Sequence, residues 1–225
     1  MRIAEVFESI QGEGLYTGTP SVFVRTTGCN LRCWFCDTRH TSWEPEGYHS
    51  SWRTIVEKVC RTDVEHVVLT GGEPLLQPDV VPLTAALTRR GRFITIETAG
   101  TVFRPVHANL MSVSPKLAGS GPTGTVWLQR HEQTRNQPDV VRRFLRNYVC
   151  QFKFVIDQPQ DVADVKTYVC RFDDLTADHV WLMPQATTRE EIAEKSPWIE
   201  TAAARCGYKV SRRLHVELFG NGRGR

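Results

Sequence analysis

This chain of 225 residues lacks any apolar run near the ~20 residues that a membrane-spanning helix requires. Its first residues, Met1 to Glu5, also lack an apolar signal segment, so we expect a cytoplasmic protein without a membrane role. Neither a Ser/His/Asp order nor a glycine-lysine phosphate loop occurs, which leaves hydrolase and kinase functions without support. The net charge of +3 is slight and argues against a nucleic-acid partner.

A disulfide framework is not indicated either. The chain has seven cysteines, an odd number, and no apolar leader, so a reducing compartment is expected. Three of the cysteines, Cys29, Cys33 and Cys36, lie within eight residues of one another, after a β-branched run. Their spacing, C-x3-C-x2-C, is the most informative feature of the sequence.

Thiolates prefer soft metals, and three of them leave one coordination position open. An iron-sulfur cluster of cuboidal shape with one iron free of cysteine can bind and reduce a small molecule. The spacing is typical of radical enzymes that use S-adenosylmethionine. Two alternatives remain open at this point: a Cys3His zinc site that includes His40, and unliganded thiols.

Short β-branched runs alternate with helical patterns, which predicts an α/β fold with parallel strands and right-handed crossovers. We expect a single domain over residues 1–225, built as a partial, incomplete TIM-like barrel of about six parallel strands with fewer, irregular helices. The predicted strands are 21–27, 66–70, 93–97, 110–114, 151–156 and 179–183. The predicted helices are 52–59, 79–90, 139–148 and 160–171.

Two regions are interpreted as insertions. Residues 117–138 are rich in Gly, Thr, Gln and Arg and are predicted to form a flexible loop. Residues 188–206 have a helical pattern in which Pro197 is expected to interrupt and restart the helix.

A second motif follows the predicted strand 66–70. The strand runs into Thr70-Gly71-Gly72-Glu73-Pro74, where two glycines allow the backbone to approach a ligand closely. A carboxylate beside exposed amides suits a bound amino acid, although a plain strand-to-helix turn would have the same sequence. Its position some forty residues after the cysteines favours the ligand-binding interpretation.

Together these motifs and several others resemble the 7-carboxy-7-deazaguanine synthases, a family of radical S-adenosylmethionine enzymes. The resemblance is carried by segments 7–14, 23–25, 28–33, 36–38, 97–101, 114–116 and 152–155, and it extends to Phe219-Gly220-Asn221. Residues 117–138 and 188–206 fall outside it.

The resemblance implies ligands for each cofactor. Cys29, Cys33 and Cys36 would hold a 4Fe-4S cluster, and Thr38 would bind Mg2+. The residues expected to contact S-adenosyl-L-methionine are Phe35, Cys36, Asp37, Gly72, Glu73, Ser114, Pro115, Lys116 and Gln185.

The same resemblance implies a substrate site made of Ile10, Gln11, Gly12, Arg25, Thr70 and His215. The carboxylates Glu13 and Glu97 are added as candidate substrate contacts. Arg25 can supply a bidentate fork for a carboxylate, although alone it would read as a surface charge at a strand end. Glu97 ends an apolar strand and needs a hydrogen-bond donor, which a ligand or a neighbouring arginine could provide. Glu13 could equally be a loop charge.

The implied reaction converts 6-carboxy-5,6,7,8-tetrahydropterin to 7-carboxy-7-deazaguanine, with loss of ammonia, in 7-deazapurine biosynthesis. A 5'-deoxyadenosyl radical would take the hydrogen at C6 of this small-molecule pterin. The implied partners are a flavodoxin-like or ferredoxin-like electron donor and a second copy of the chain. The alternative within the superfamily is an activase that generates a glycyl radical on a partner enzyme, which would have no use for Arg25.

Overall fold

The computed structural model describes residues 1–220 and 222–224, so Asn221 of the C-terminal motif lies outside the described residues. Its strands form one sheet in the order β3-β1-β2-β4-β5-β6-β7-β8-β9. The strands are β1 (Arg2–Ile10), β2 (Pro20–Thr26), β3 (Tyr48–His49), β4 (His66–Gly71), β5 (Phe93–Thr98), β6 (Leu110–Val113), β7 (Cys150–Ile156), β8 (Val180–Pro184) and β9 (Lys209–Val210).

The helices lie mainly in the crossovers between these strands. They are α1 (Arg39–Ser42), α2 (Trp52–Val59), α3 (Val80–Thr88), α4 (Leu128–Arg135), α5 (Pro138–Asn147), α6 (Pro159–Val169), α7 (Arg189–Cys206) and α8 (Leu214–Phe219). In the described ranges, no helix combines the length and the apolar character needed to cross a membrane.

The prediction of a partial TIM-like barrel is confirmed. Strands β2, β4, β5, β6, β7 and β8 pair in parallel and correspond to the six predicted strands. The sheet is not closed into a barrel, because its two edge strands, β3 and β9, do not pair with each other. Next to β3, strand β1 pairs antiparallel with β2. Strands β1, β3 and β9 were not predicted.

The core forms where these parallel strands are covered by helices. The central strands are almost wholly apolar and buried on both faces, as parallel strands usually are, for example Val67, Val68 and Leu69 of β4. On α2, Ile55 and Val59 pack into the same core, and the Ser51 side chain caps this helix by accepting from Thr54 N. This packing fixes the strand ends that carry the polar residues described next.

Two details of the insertions differ from prediction. Segment 117–138 contains the helix α4, so it is not an unstructured loop. Helix α7 continues through Pro197 without interruption. Pro197 and Ala193, whose carbonyl loses its helical partner, both lie on the exposed face, where water can hydrate that carbonyl.

Candidate active site

A cavity of about 350 Å³ opens at the carboxyl ends of the parallel strands. Chemistry collects at this edge in parallel α/β folds because the strand-to-helix loops meet there. Of the predicted site residues, those that line the cavity are Ile10, Gln11, Gly12, Glu13, Arg25, Cys29, Cys33, Phe35, Cys36, Asp37, Thr38, Thr70, Gly72, Glu97, Ser114, Lys116, Gln185 and His215. The fold therefore brings together residues that are more than 200 positions apart in sequence.

The three cysteines of the motif lie in the loop that follows β2. Cys33 is buried, Cys29 and Cys36 are half-buried, and all three are free thiols in the described chain. Burial raises the pKa of Cys29 to about 11 and that of Cys33 to about 12. Buried thiolates are stable beside a metal cation, so the donor set and its burial suit a metal-bound cluster.

The loop differs from a zinc knuckle. His40, the fourth ligand of that alternative, instead places its Nε2 3.0 Å from Glu5 Oε1. Within residues 1–220 and 222–224, no three His, Cys, Asp or Glu side chains converge where one metal ion could bind. A cuboidal cluster binds each thiolate through a different iron, so its cysteines need not converge in this way. The cluster therefore fits this loop better than zinc does.

The glycines after β4 allow the backbone to turn beneath the cavity. Gly71 has φ +126°, a conformation that residues with a Cβ rarely adopt. Gly72 lines the cavity, but Glu73 lies behind the wall and is fully buried. The Glu73 carboxylate accepts from Leu75 N at 3.1 Å, Thr98 Oγ1 at 2.8 Å and Ala99 N at 2.9 Å.

Glu73 and Pro115 are thus the predicted contacts that the structure does not place in the cavity wall. Burial raises the pKa of Glu73, and its hydrogen bonds join the end of β4 to the end of β5. Pro115 lines a smaller neighbouring cavity with Trp34. The flanking Lys116 folds back, and its Nζ donates to Ser114 Oγ at 2.6 Å.

A chain of alternating charges crosses the floor of the cavity. Lys153 Nζ lies 2.8 Å from Glu13 Oε2 and 3.2 Å from Glu97 Oε1. Arg213 Nε lies 3.3 Å from Glu13 Oε1, and Arg213 also bonds to Asp37. Lys153 and Arg213 are almost fully buried. The network therefore links the cysteine loop, through Asp37, to the end of β5.

The pKa values in this network follow from pairing that outweighs burial. Burial alone would raise the pKa of Glu13, but Lys153 and Arg213 hold that pKa well below its usual range. The pKa of Asp37 is likewise lowered, because the Arg213 guanidinium outweighs the effect of burial. Burial would lower the pKa of Lys153, but its two carboxylate partners raise it. Glu13, Asp37, Lys153 and Arg213 are therefore charged at neutral pH.

Glu97 is further fixed by neutral donors. Thr70 Oγ1 donates to its Oε2 at 2.8 Å, and Gln11 Nε2 lies 3.3 Å from its Oε1. The partners of this carboxylate are thus a lysine, a threonine and a glutamine, and the arginine considered above is not among those described. Near Glu13, His215 Nε2 stands 3.9 Å from Oε1, and burial lowers the pKa of His215.

Sequence reasoning missed Lys153 and Arg213. A lysine inside the apolar run Phe152 to Val155 was a usable signal, because a buried ammonium requires a partner. Arg213 lies in an irregular segment beside another arginine and carries no comparable signal.

Arg25 is the penultimate residue of β2, and its side chain lines the cavity. Its Nε is buried and has no hydrogen-bond partner in the part of the chain that the structure describes. Glu5 Oε1 stands 3.5 Å from this nitrogen without hydrogen-bond geometry, and the Phe7 ring lies below the guanidinium. Since Arg25 lines the cavity, its guanidinium suits an anionic ligand group.

Comparisons with known proteins agree with these features. The Radical SAM superfamily model matches residues 23–115. The 7-carboxy-7-deazaguanine synthase of Rhodopirellula baltica is 41% identical, with 99% of this chain and 88% of the relative covered. That of Halobacterium salinarum is 42% identical, with 96% of this chain and 90% of the relative covered.

A solved structure supports the same assignment. The crystal structure of QueE from Escherichia coli is similar with a TM-score of 0.74 and 25% identity, covering 95% of this chain and 94% of that one. These relatives favour a synthase over a glycyl-radical activase. The three-cysteine loop, the fold and the near full-length similarity lead to one conclusion: the chain belongs to the 7-carboxy-7-deazaguanine synthase family of radical S-adenosylmethionine enzymes.

Proposed function

We propose that the cavity binds 6-carboxy-5,6,7,8-tetrahydropterin beside S-adenosylmethionine and converts it to 7-carboxy-7-deazaguanine with loss of ammonia. The observation that supports this most strongly is that the cysteine loop and the Arg25 side chain line one cavity. When bound, the cluster and S-adenosylmethionine supply the reductive cleavage and the radical that takes hydrogen from the substrate. The reaction is redox-neutral overall, since pterin yields only deazaguanine and ammonia.

The cofactor half of the cavity is assigned to the side of the cysteine loop. Cys29, Cys33 and Cys36 would hold the cluster. S-adenosylmethionine would contact Phe35, Cys36, Asp37, Gly72, Ser114, Lys116 and Gln185. Glu73 would not contact S-adenosylmethionine directly, because its carboxylate already accepts three hydrogen bonds from the protein. It would instead support the backbone turn that carries Gly72.

The substrate half is assigned to the side of the charge network. Arg25 would bind the pterin carboxylate through its guanidinium fork. The pyrimidine ring carries N–H groups that can donate to the Glu13 and Glu97 carboxylates. Lys153 holds both carboxylates in place. Further contacts would come from Ile10, Gln11, Gly12, Thr70 and His215. These side chains orient C6 and exclude water from it.

Magnesium is proposed at Thr38, which lines the cavity. A hydroxyl oxygen is an acceptable ligand for this hard cation, which usually retains waters and takes oxygens from the substrate. The substrate carboxylate would complete such a site.

Three further assignments complete the proposal. The electron would come from a flavodoxin-like or ferredoxin-like protein, and the chain would work as a homodimer. A reducing cytoplasm would suit a protein whose seven cysteines are all free in the described chain.

The direct test is product analysis with reconstituted protein under anaerobic conditions. With reductant, S-adenosylmethionine, Mg2+ and the pterin, we expect 7-carboxy-7-deazaguanine and one equivalent of ammonia by mass spectrometry and ammonia assay. Cys33→Ala should abolish both products, whereas Cys150→Ala, at a buried cysteine outside the cavity wall, should retain them. Cleavage of S-adenosylmethionine without any ring-contracted product would contradict the proposal.

A further inference from the structure

Segment 117–138 packs directly on the cysteine loop. Trp34 lies between Cys33 and Cys36, and its indole Nε1 donates to Gly119 O at 2.9 Å. Its backbone N–H donates to Ser120 O at 3.2 Å. The segment therefore holds the second half of the C-x3-C-x2-C loop through two hydrogen bonds.

His131 of helix α4 holds the first half of the loop. Its side chain is only 1% exposed, and its Nδ1 lies 3.2 Å from the backbone nitrogen of Arg32, the residue before Cys33. Because a backbone N–H can only donate, Nδ1 must accept and the ring proton lies on Nε2. Nε2 lies 3.0 Å from Ser120 Oγ, which donates onward to Leu117 O at 2.6 Å. Every group in this chain of hydrogen bonds has a partner of the correct kind.

The Arg32 side chain also bonds to the cysteine loop. Its Nη1 donates to Cys29 O at 2.9 Å and to Leu31 O at 2.8 Å. Its guanidinium also lies 4.6 Å from the centre of the Trp127 ring, just before α4. Arg32 is thus fixed through its backbone by His131 and through its side chain by the loop and by Trp127.

We propose that His131 is a positioning residue that holds the cysteine loop in the conformation that directs its thiols toward the cavity before the cluster binds. This rests on the assignment of Cys29, Cys33 and Cys36 to the cluster. The loop has no regular secondary structure, so its N–H groups need partners from elsewhere. Groups that orient metal ligands from behind typically change metal affinity by roughly 10- to 100-fold when they are removed.

The test is His131→Phe, which removes both hydrogen bonds while keeping a ring. We expect cluster loss in air, followed by visible absorbance, to be roughly tenfold faster than in the parent, with less iron and sulfide per chain after reconstitution. Ser120→Ala, a milder change, should speed the loss by a smaller factor. His131→Asn, which can still accept from Arg32 N–H, should lie between His131→Phe and the parent.

A matched control comes from His66, another buried histidine with both ring nitrogens bonded. It contacts Ser21 Oγ at 2.9 Å and Thr95 Oγ1 at 2.8 Å, at the amino end of β4 away from the cavity. His66→Phe should lower the melting temperature of the full chain before reconstitution, but leave the rate of cluster loss near that of the parent.

Equal cluster retention in His131→Phe and the parent would overturn the inference. So would cluster losses in His66→Phe that match those in His131→Phe at similar melting temperatures, because His131 would then act only through global stability. If the parent itself binds no iron and sulfide, the assignment of the cysteines fails, and the proposed function fails with it. Cluster binding by the parent is measured first, so the two failures are distinguishable.

Discussion

At the scale of single residues, Arg25 gives the sharpest link between geometry and substrate. We expect Arg25→Ala to lower kcat/KM for the carboxylated pterin by about 100-fold, corresponding to about 3 kcal/mol for two charge-assisted hydrogen bonds. Arg25→Lys should recover only part of this, since an ammonium lacks the planar fork. Steady-state kinetics with cluster content measured in parallel would check the prediction.

The control for Arg25 is the substrate itself. A tetrahydropterin without the carboxylate should bind the parent and Arg25→Ala with similar affinity, because the deleted guanidinium has no partner on it. A loss of affinity as large as that seen with the carboxylated pterin would contradict the assigned role. Arg53→Ala, an exposed arginine stacked on Trp52, serves as the control for a change in net charge.

At the scale of elements, the end of β4 is where backbone conformation matters most. We expect Gly71→Ala to lower the free energy of unfolding by roughly 3 kcal/mol or more, as it combines positive-φ strain with a Cβ that would overlap the backbone of Thr26. Gly91→Ala, also at positive φ but with open space around its Cβ in the described structure, should cost only about 1–2 kcal/mol. Urea unfolding of both variants would check this, and equal costs would show that the overlap is relieved.

The elements also show what sequence patterns can and cannot predict. The six central strands were predictable because continuous apolar runs are typical of buried parallel strands. Strand β1 was missed because most of its side chains, including Glu5, are half-exposed, which obscures any alternation. Helix α4 was missed because it is strongly polar and buries chiefly His131. Most cavity residues followed from motif resemblance, whereas the Lys153 and Arg213 pairings depend on contacts distant in sequence.

At the scale of the whole molecule, buried histidines predict how stability depends on pH. Burial lowers the pKa of His66, of His131 and of His215. The unfolded chain therefore takes up protons first as the pH falls below about 6.5, and the free energy of unfolding decreases with falling pH. Glu13, with its lowered pKa, adds a separate loss only below about pH 4.5, where the unfolded chain begins to protonate it.

Urea unfolding of the full chain before reconstitution, at several pH values between about 5 and 7.5, would measure this dependence. Each of the three histidines should contribute up to about 1.4 kcal/mol per pH unit below its unfolded pKa. His66→Gln should reduce the slope, whatever its effect on absolute stability. A flat profile across this interval would contradict the prediction.

The cavity floor joins the two ends of the chain, and this has a consequence for synthesis on the ribosome. Leu214 N donates to Gly12 O at 2.9 Å, Gly14 N donates to Ser211 Oγ at 2.9 Å, and Glu13 pairs with Arg213. Domains fold progressively as they emerge during translation. A nascent polypeptide can expose its cysteine loop early, but it cannot assemble the cavity floor until position 214 has left the exit tunnel. A stalled or truncated product would therefore be unable to complete the reaction, however well it had acquired iron.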